Sequence, residues 1–392
     1  MQQRLLTICI PTYNRVDLLT GTIQFFFDQI TSGDLTEKVA ISITDNASTD
    51  ETPQRIAEMQ QTAPCPLLYH RNETNLGFDR NVVQALKGAE TPWVWTCGDY
   101  NRLFPDAIRQ VCEVLQETDP EVYAWVAPRG IEFHPPDRFG NHDVSVYTIF
   151  PNRPLAFDVP AEDMLSVRIN MRGMNDSIFN REKLWHVLEH HQDQVAQGVG
   201  LLYMHAWLQG LVALHFPHMR CRVMNRNIIL MVKVDRGYNP VDQFFDLSYL
   251  GNMVFYRRMV RLAKAQGFDK AAGLLQQISD SGYLGFLWVM IGNKMVGKFS
   301  CHRPFHFLLR LLRGFTFKRF LQTASVFLLC WLLPRRLLDI LLKLYFDLTR
   351  GAAGRRVLAA NIQGFAQKSN QFQMLKYSAK SWMGQRLRGE RI

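Results

Sequence analysis

The segment Val39-Ala40-Ile41-Ser42-Ile43-Thr44-Asp45-Asn46-Ala47-Ser48-Thr49-Asp50 decides the fold. Its first half is β-branched or alternates apolar with small polar side chains, the pattern of a buried strand. Its second half is a polar turn cluster, so the strand stops at Asp45. A helix is predicted to follow, with Thr49 or Asp50 as its cap and Glu51 in its first turn. The same alternation recurs on either side. Residues 4–10 are an apolar run that ends at Pro11, a strand and then a turn. Within residues 15–30, Val16, Leu18, Leu19, Ile23, Phe26, Phe27 and Ile30 share one helical face. Residues 67–70 read as a strand, 71–74 as a polar loop and 78–88 as a helix. Residues 93–96 read as a strand ending at Gly98-Asp99-Tyr100-Asn101. Strand and helix in alternation predict an α/β fold with a mostly parallel, doubly wound sheet. Asp45 and Asp99 both lie just past the C-terminal end of a strand, the edge at which open α/β sheets bind ligands. Turns call for Asp, Asn, Ser and Gly in any case, so spacing alone leaves both readings open. GxGxxG and GxxxxGK[ST] are absent, which removes the usual dinucleotide and P-loop fingerprints.

The 392 residues suggest about two domains. With 47% hydrophobic and 20% charged residues, the chain is globular rather than disordered. It has no repeat of the solenoid kind. Seven scattered cysteines without a CxxC suit a reducing compartment better than a disulfide framework. The opening apolar run is too short for a signal peptide. The net charge of +10 is unevenly placed. From Lys294 onward there are 19 Lys+Arg and 3 Asp+Glu, net +16, which leaves residues 1–293 at −6. An acidic body with a basic, Leu/Phe-rich tail is not the profile of a nucleic-acid binder.

Four stretches, taken in order, resemble glycosyltransferase family 2, the GT-A nucleotide-sugar enzymes. They are Ile8-Cys9-Ile10-Pro11-Thr12-Tyr13-Asn14-Arg15, Ile43 to Asp50, Arg71-Asn72-Glu73-Thr74-Asn75-Leu76-Gly77, and Gly98-Asp99. Phe78-Asp79-Arg80-Asn81 after the glycine looks most like the abequosyltransferase-like members, which act in bacterial O-antigen and exopolysaccharide assembly. The resemblance covers residues 4–102 well and continues weakly to about 240. It implies a Rossmann-like GT-A core that takes a sugar from a nucleotide-diphosphate donor. Pro11, Thr12, Tyr13, Asn14, Asn46, Ser48 and Gly77 would line the nucleotide-sugar site, with Thr12 and Tyr13 at the nucleoside. Asp45 would accept the imino N–H of a uracil, thymine or guanine base, which cytosine lacks. Asn75 and Arg80 would lie near the base or diphosphate. Asp99 would hold Mn²⁺ or Mg²⁺ on the diphosphate, as a hard cation shared by a carboxylate and phosphate oxygens. The family pattern is close to Gly-Asp-Asp-Asp, whereas this chain has Gly98-Asp99-Tyr100-Asn101. Asn101 can still offer a carbonyl oxygen to the metal, with one less charge. Three readings follow: a metal that arrives with the donor, a basic residue in its place, or loss of transfer.

An inverting transfer also needs a general base within about 3 Å of the acceptor hydroxyl. The family places it near a helix start well after Asp99. Here that region, residues 198–207, has no carboxylate, and His205 is its strong base. Asp176, in a strand-like stretch, is the rival. Glu189, His190 and His191 read as a solvated helix end. His215, His218 and Cys221 have metal-like spacing without an evident fourth ligand and read as structural. Trp93 and Trp95 read as sheet packing.

Residues 241–293 read as helical. Beyond Lys294, Arg303, His306, Arg310 and Arg313 recur at spacings of 3, 4 and 3. Arg336, Asp339, Lys343, Asp347 and Arg350 do so at 3, 4, 4 and 3. Each set is a narrow polar stripe on a wide apolar face. The uncharged run 320–334 is short of the roughly 20 residues of a bilayer span. Such helices suit an anionic membrane surface, where each basic residue contributes about 1 kcal/mol. The expected organisation is a GT-A domain over 1–235, a helical appendage over 236–293, and a basic amphipathic, membrane-surface tail over 294–392. The expected partners are a nucleotide-diphosphate sugar, a lipid-linked glycan acceptor and an anionic membrane, with no nucleic acid. The expected place is the cytoplasmic face of the inner membrane. The competing expectation is a degenerate GT-A protein that binds a nucleotide-sugar or glycan, or scaffolds a partner enzyme, without transfer.

Overall fold

The computed structural model describes residues 4–100, 102–134, 143–147, 154–161, 163, 174–201, 203–232, 254–295 and 317–344. Asn101, residues 241–253, the stripe at 303–313, and Asp347 and Arg350 lie outside them. The chain forms two compact units, one of Met1–His134, His142–Lys233 and Arg258–Leu275, the other of Pro135–Asn141, Val234–Arg257 and Gln276–Ile392.

In chain order the elements are β1 (Leu6–Thr12), α1 (Val16–Ser32), β2 (Val39–Asp45), α2 (Thr52–Gln61), β3 (Leu67–Arg71), α3 (Phe78–Lys87), β4 (Trp93–Thr96), β5 (Arg102–Leu103) and α4 (Ala107–Gln116). There follow β6 (Tyr123–His134), β7 (Asp143–Tyr147), β8 (Ala156–Pro160), a 3-10 turn (Met174–Asp176), β9 (Ile178–Asn180), α5 (Arg181–His190), α6 (Gln192–Ala196), α7 (Met204–His215) and β10 (Arg220–Val232). Among the described residues there follow α8 (Phe255–Ala265), α9 (Asp269–Met295) and α10 (Phe317–Leu332), and then a helical stretch at 335–344.

The strands form one sheet in the order β3-β2-β1-β4-β9-β6-β10-β5, with β7 on β6 and β8 on β10. The β1–β2, β1–β4, β2–β3 and β6–β10 pairs are parallel. The β3-β2-β1-β4 part is the parallel, Rossmann-like sheet expected of a GT-A fold, and the antiparallel pairs β4–β9, β6–β9, β6–β7, β10–β8 and β10–β5 extend it. Every residue of β1, β2 and β4 is buried, as helices on both faces require. Leu19, Ile23, Phe26 and Ile30 of α1 supply much of the cover. Trp93 and Trp95 are sheet packing, as expected. Asn180 ties β9 into this core: its side chain accepts from Glu182 N at the start of α5 and donates to Pro120 O and Tyr123 O.

Three local expectations need correction. Helix α2 begins at Thr52 with Glu51 as its N-cap, rather than Thr49 or Asp50. Asp50 still acts there, because its carboxylate accepts from Thr52 N and Oγ1 and from Val16 N. Asp176 lies in the 3-10 turn before β9 rather than in the strand, since Trp95 Nε1 and Thr96 Oγ1 bind the carbonyls of Asn175 and Met174 and hold a turn. Glu189 and His190 are exposed, as expected, but His191 is half-buried. His191 stacks on His215 with ring centroids 3.6 Å apart, and His186 stacks on His190 at 4.6 Å.

That stack has a pH consequence. His215 is pulled down to about 4 by burial first and then by the neighbouring His191 and His186, and its Nε2 meets Gln194 Oε1 at 2.9 Å. His191 is lowered by the same kinds of cause. The fold therefore favours neutral rings, while the unfolded chain takes up protons at about pH 6.5. Stability is expected to fall once the pH drops below about 6.5 and to keep falling to about 4. Melting curves at pH 7.5, 6 and 5 measure this, and His215→Gln should flatten the slope.

In the second unit, α10 buries Thr323, Phe327 and Cys330, at spacings of 4 and 3. It leaves Leu321, Leu328, Leu329, Trp331 and Leu332 exposed. Helical residues 335–344 likewise expose Leu337, Ile340, Leu341 and Leu344 beside a Lys343–Asp339 pair at 2.6 Å. No helix of the described residues is long and apolar enough to cross a membrane.

Candidate functional site

Register sets the geometry of the sheet edge. Thr12 pairs with Asp45 and Asp45 with Arg71, so the last residues of β1, β2 and β3 form one row. Cys9 pairs with Thr96, and three residues on from each places Asp99 level with Thr12. Thr12 Oγ1 donates to Asp99 Oδ2 at 3.0 Å.

Asp45 is fully buried, and both of its oxygens are in use. Oδ1 accepts from Ser48 N at 2.9 Å, and Oδ2 accepts from the Tyr69 hydroxyl at 2.7 Å. Arg71 Nε adds a looser contact to Oδ2 at 3.4 Å from a half-exposed side chain. Burial, and then the bond to Asp45, push the Tyr69 phenol above its usual range, so it stays a donor. The loops behind are held in uncommon backbone. Asn14 (φ 51°) and Ala47 (φ 62°) are left-handed, which costs an alanine roughly 1–2 kcal/mol. Cross-bonds hold both: Asn14 N donates to Ser48 Oγ, Thr49 N donates to Asn14 Oδ1, and Asn46 N donates to Thr12 O.

An asparagine network joins these loops to the segment after β3. Asn46 Nδ2 donates to Asn75 Oδ1 at 2.8 Å, and Asn46 Oδ1 accepts from Asn72 and from Leu76 N. Asn72 also donates to Asn81, which donates to Thr44 O. Pro11, Thr12, Asn46 and Ser48 are buried, whereas Tyr13, Asn14, Asn75, Gly77 and Arg80 are exposed. Tyr13 thus presents a ring at the rim. Gly77 sits at φ 80° as the N-cap of α3, a conformation that glycine adopts freely.

On the other side, Asp99 Oδ1 meets Arg15 Nη1 at 3.0 Å. The Arg15 guanidinium lies 5.8 Å from the Tyr100 ring centroid. Thr22 Oγ1 donates to the Asp99 carbonyl and accepts from Arg102 Nη1.

Residues 7–196 match the family model described as glycosyl transferase family 2. This stretch is a family 2 glycosyltransferase domain. The chain is also similar to abequosyltransferase RfbV of Salmonella typhimurium, 31% identical over 123 residues. That match covers 30% of this chain and 34% of RfbV, about a third of the relative's length. Among solved structures it is similar to S. aureus TarS 1–349, at 15% identity, 94% and 91% coverage and a TM-score of 0.47. It is similar as well to the mannosyltransferase PcManGT of Pyrobaculum calidifontis in complex with GDP-Man and Mn²⁺, at 14% identity, 84% and 86% coverage and a TM-score of 0.45.

The 3-10 turn docks on the glycosyltransferase edge through Gly98 N, which donates to Asn175 Oδ1 at 3.0 Å. Asp176 and His205 are both buried. They sit on elements that adjoin, because Gln209, one turn after His205 on α7, donates to the Asp176 carbonyl and to Ser177 Oγ. Asp79, at the start of α3, accepts from Gly200 N at 2.8 Å and from Met204 N at 3.2 Å. It caps α7 from a different helix, where the N-cap Tyr203 makes no side-chain cap of its own. Sequence reasoning assigned no role to Asp79, Tyr69, Arg71, Asn72 or Asn81. The available signal was that all five fall inside or beside the quoted motifs.

Close approach also constrains this loop. A methyl on Gly198 would lie 2.6 Å from Trp207 Cγ, and Trp207 is pinned by its bond to Gln194 O. Gly198→Ala is expected to cost about 1–3 kcal/mol through overpacking, read as a lower denaturation midpoint with an unchanged slope.

The described residues offer a divalent cation little. Asp99 is the sole described member of the expected ligand pair, and both its oxygens are engaged, by Arg15 and Thr12. Among the described residues, no group of three His, Cys, Asp or Glu side chains is placed to hold a metal. Among the described residues, this donor set does not fit a hard dication.

Proposed function

We propose that the protein transfers a sugar from a nucleotide-diphosphate sugar to a hydroxyl of a lipid-linked glycan, with inversion, in bacterial surface-polysaccharide assembly. The observation that carries this reading is the in-register row Thr12–Asp45–Arg71 with Asp99 level beside it, at the ligand-binding edge of a family 2 glycosyltransferase domain. Asp45 and the Asn46–Asn75 network face the nucleoside, with Tyr13 as its exposed ring and Arg80 toward the phosphates. The acceptor oxygen attacks the anomeric carbon opposite the diphosphate. The new C–O bond forms as the old one breaks, and the nucleoside diphosphate leaves with the electron pair. His205 or Asp176 takes the hydroxyl proton. The similarity to an abequosyltransferase supports the polysaccharide setting. The exposed apolar residues of α10 and 335–344, in a tail of net +16, support a peripheral position on an anionic leaflet at the cytoplasmic face of the inner membrane.

The test is a calorimetric panel of UDP, GDP, dTDP and CDP, followed by transfer from the sugar donors of the bound nucleotide to a bacterial lipid extract. Binding of one nucleotide with transfer to lipid supports the proposal. Binding without transfer to any acceptor favours a catalytically degenerate binder. Flotation with vesicles checks the membrane surface: the full chain is expected to rise with phosphatidylglycerol vesicles and not with phosphatidylcholine ones.

A further inference from the structure

We infer that Arg15, held by Asp99, supplies the positive charge that meets the donor's diphosphate, so that donor binding needs no divalent cation. The inference rests on the nucleotide-sugar reading above and deepens it. Asp99 is a buried carboxylate clamped at three atoms. Thr12 Oγ1 holds Oδ2, Arg15 Nη1 holds Oδ1, and Thr22 Oγ1 holds the main-chain oxygen. A carboxylate ligating a hard cation must offer an oxygen to it, whereas this one orients a guanidinium. Arg15 is the N-cap residue of the 17-residue helix α1, so the positive end of the helix dipole lies beside it. Its side chain is 24% exposed while that of Asp99 is 4% exposed. The cation therefore faces outward and the anion inward. A planar guanidinium presents five donors in a fork that matches phosphate oxygens, so this group is suited to bridge from Asp99 to a diphosphate. The Tyr100 ring near the guanidinium gives it a second wall. Arg102, one hydrogen bond behind through Thr22, adds a further cation to the same corner. Two arginines around Asp99 leave the corner positive, as a diphosphate requires. In this arrangement Asp99 is a positioning residue for Arg15.

The experiment measures binding of UDP, GDP and dTDP, and of the matching nucleosides, to the full chain in EDTA and in Mn²⁺. The expected result is that the recognised diphosphate binds in EDTA with a Kd that Mn²⁺ leaves unchanged. Arg15→Ala should weaken the diphosphate by at least about tenfold, as for a lost hydrogen bond to a charged group, and leave the nucleoside unaffected. Arg15→Lys should keep part of the affinity. A diphosphate that binds only with Mn²⁺ overturns the inference and leaves the proposed function standing, and this comparison needs no variant. Equal loss of nucleoside and diphosphate in a folded Arg15→Ala protein also overturns it. Absence of nucleotide binding in either condition removes both readings.

Discussion

Asp45→Asn is expected to lower the affinity for the recognised nucleotide by about 100-fold, the equivalent of one charge-assisted hydrogen bond, with little change in melting temperature. Asp45→Ala is expected to lose both binding and stability. The difference follows from what surrounds the carboxylate. Oδ1 serves Ser48 N, and Oδ2 serves Tyr69 and, more loosely, Arg71. Arg71 is half-exposed, so it can swing into solvent and give up its place on Oδ2 to the base. An asparagine keeps the Ser48 bond, and the Tyr69 hydroxyl can turn to accept from the new amide. The frame is kept, but the acceptor for an imino N–H becomes a donor. An alanine instead leaves the Ser48 and Tyr69 donors unsatisfied in the interior, at roughly 1–3 kcal/mol each. A donor at this position matches N3 of cytosine, so the Asn variant's ranking should move toward CDP. Titration of the four nucleoside diphosphates into wild type and both variants decides the point. An Asn variant with wild-type affinity and ranking would reduce Asp45 to a brace.

The residues legible in the sequence are those whose role is local. Val39 to Thr44 declare a strand by their alternation, and Asp45 to Asp50 declare its end by turn chemistry, so the row at the sheet edge follows from short-range patterns. The order of the four motifs then identifies the domain. Pairings over long separations were not legible. Arg15 and Asp99 meet across 84 residues, and Asp79 and Gly200 across 121. Nothing in either neighbourhood encodes the partner. The expectation for Asp99 came from a metal pattern, and the guanidinium beside it became visible only in three dimensions. The histidine stack is similar. His190 and His191 close a polar helix end and read as solvated; His190 is exposed, whereas His191 stacks on His215, a partner that comes from α7. Asp176 read as strand because Ile178 and Phe179 are strand residues, and the turn just before them is set by side chains of β4.

Asp79→Ala is expected to reduce kcat by about 10- to 100-fold, the range for a misplaced catalytic group, while the Kd for the nucleotide stays at its wild-type value. The Asp79 carboxylate receives the backbone N–H groups of Gly200 and Met204. Gly200 stands at φ 84°, and Met204 opens α7 one residue before His205. Asp79 therefore fixes the direction in which α7 starts, and its charge complements the helix's positive end. If His205 takes the acceptor proton, its ring must stay within about 3 Å of the hydroxyl, so loss of the cap acts on turnover. The row proposed to bind the nucleotide is built from β1, β2 and β3, and its register does not involve that cap. Asp79→Asn keeps one accepting oxygen and should recover part of kcat, which a purely volumetric role would not require. Donor binding by calorimetry, kcat and the melting temperature should be read for both variants. A fall in nucleotide affinity parallel to kcat would instead tie Asp79 to the donor site through α3. A drop in melting temperature with kcat unchanged would confine it to the scaffold. Turnover lost at constant donor affinity would mark the Asp79–α7 contact as what holds the proton acceptor in place.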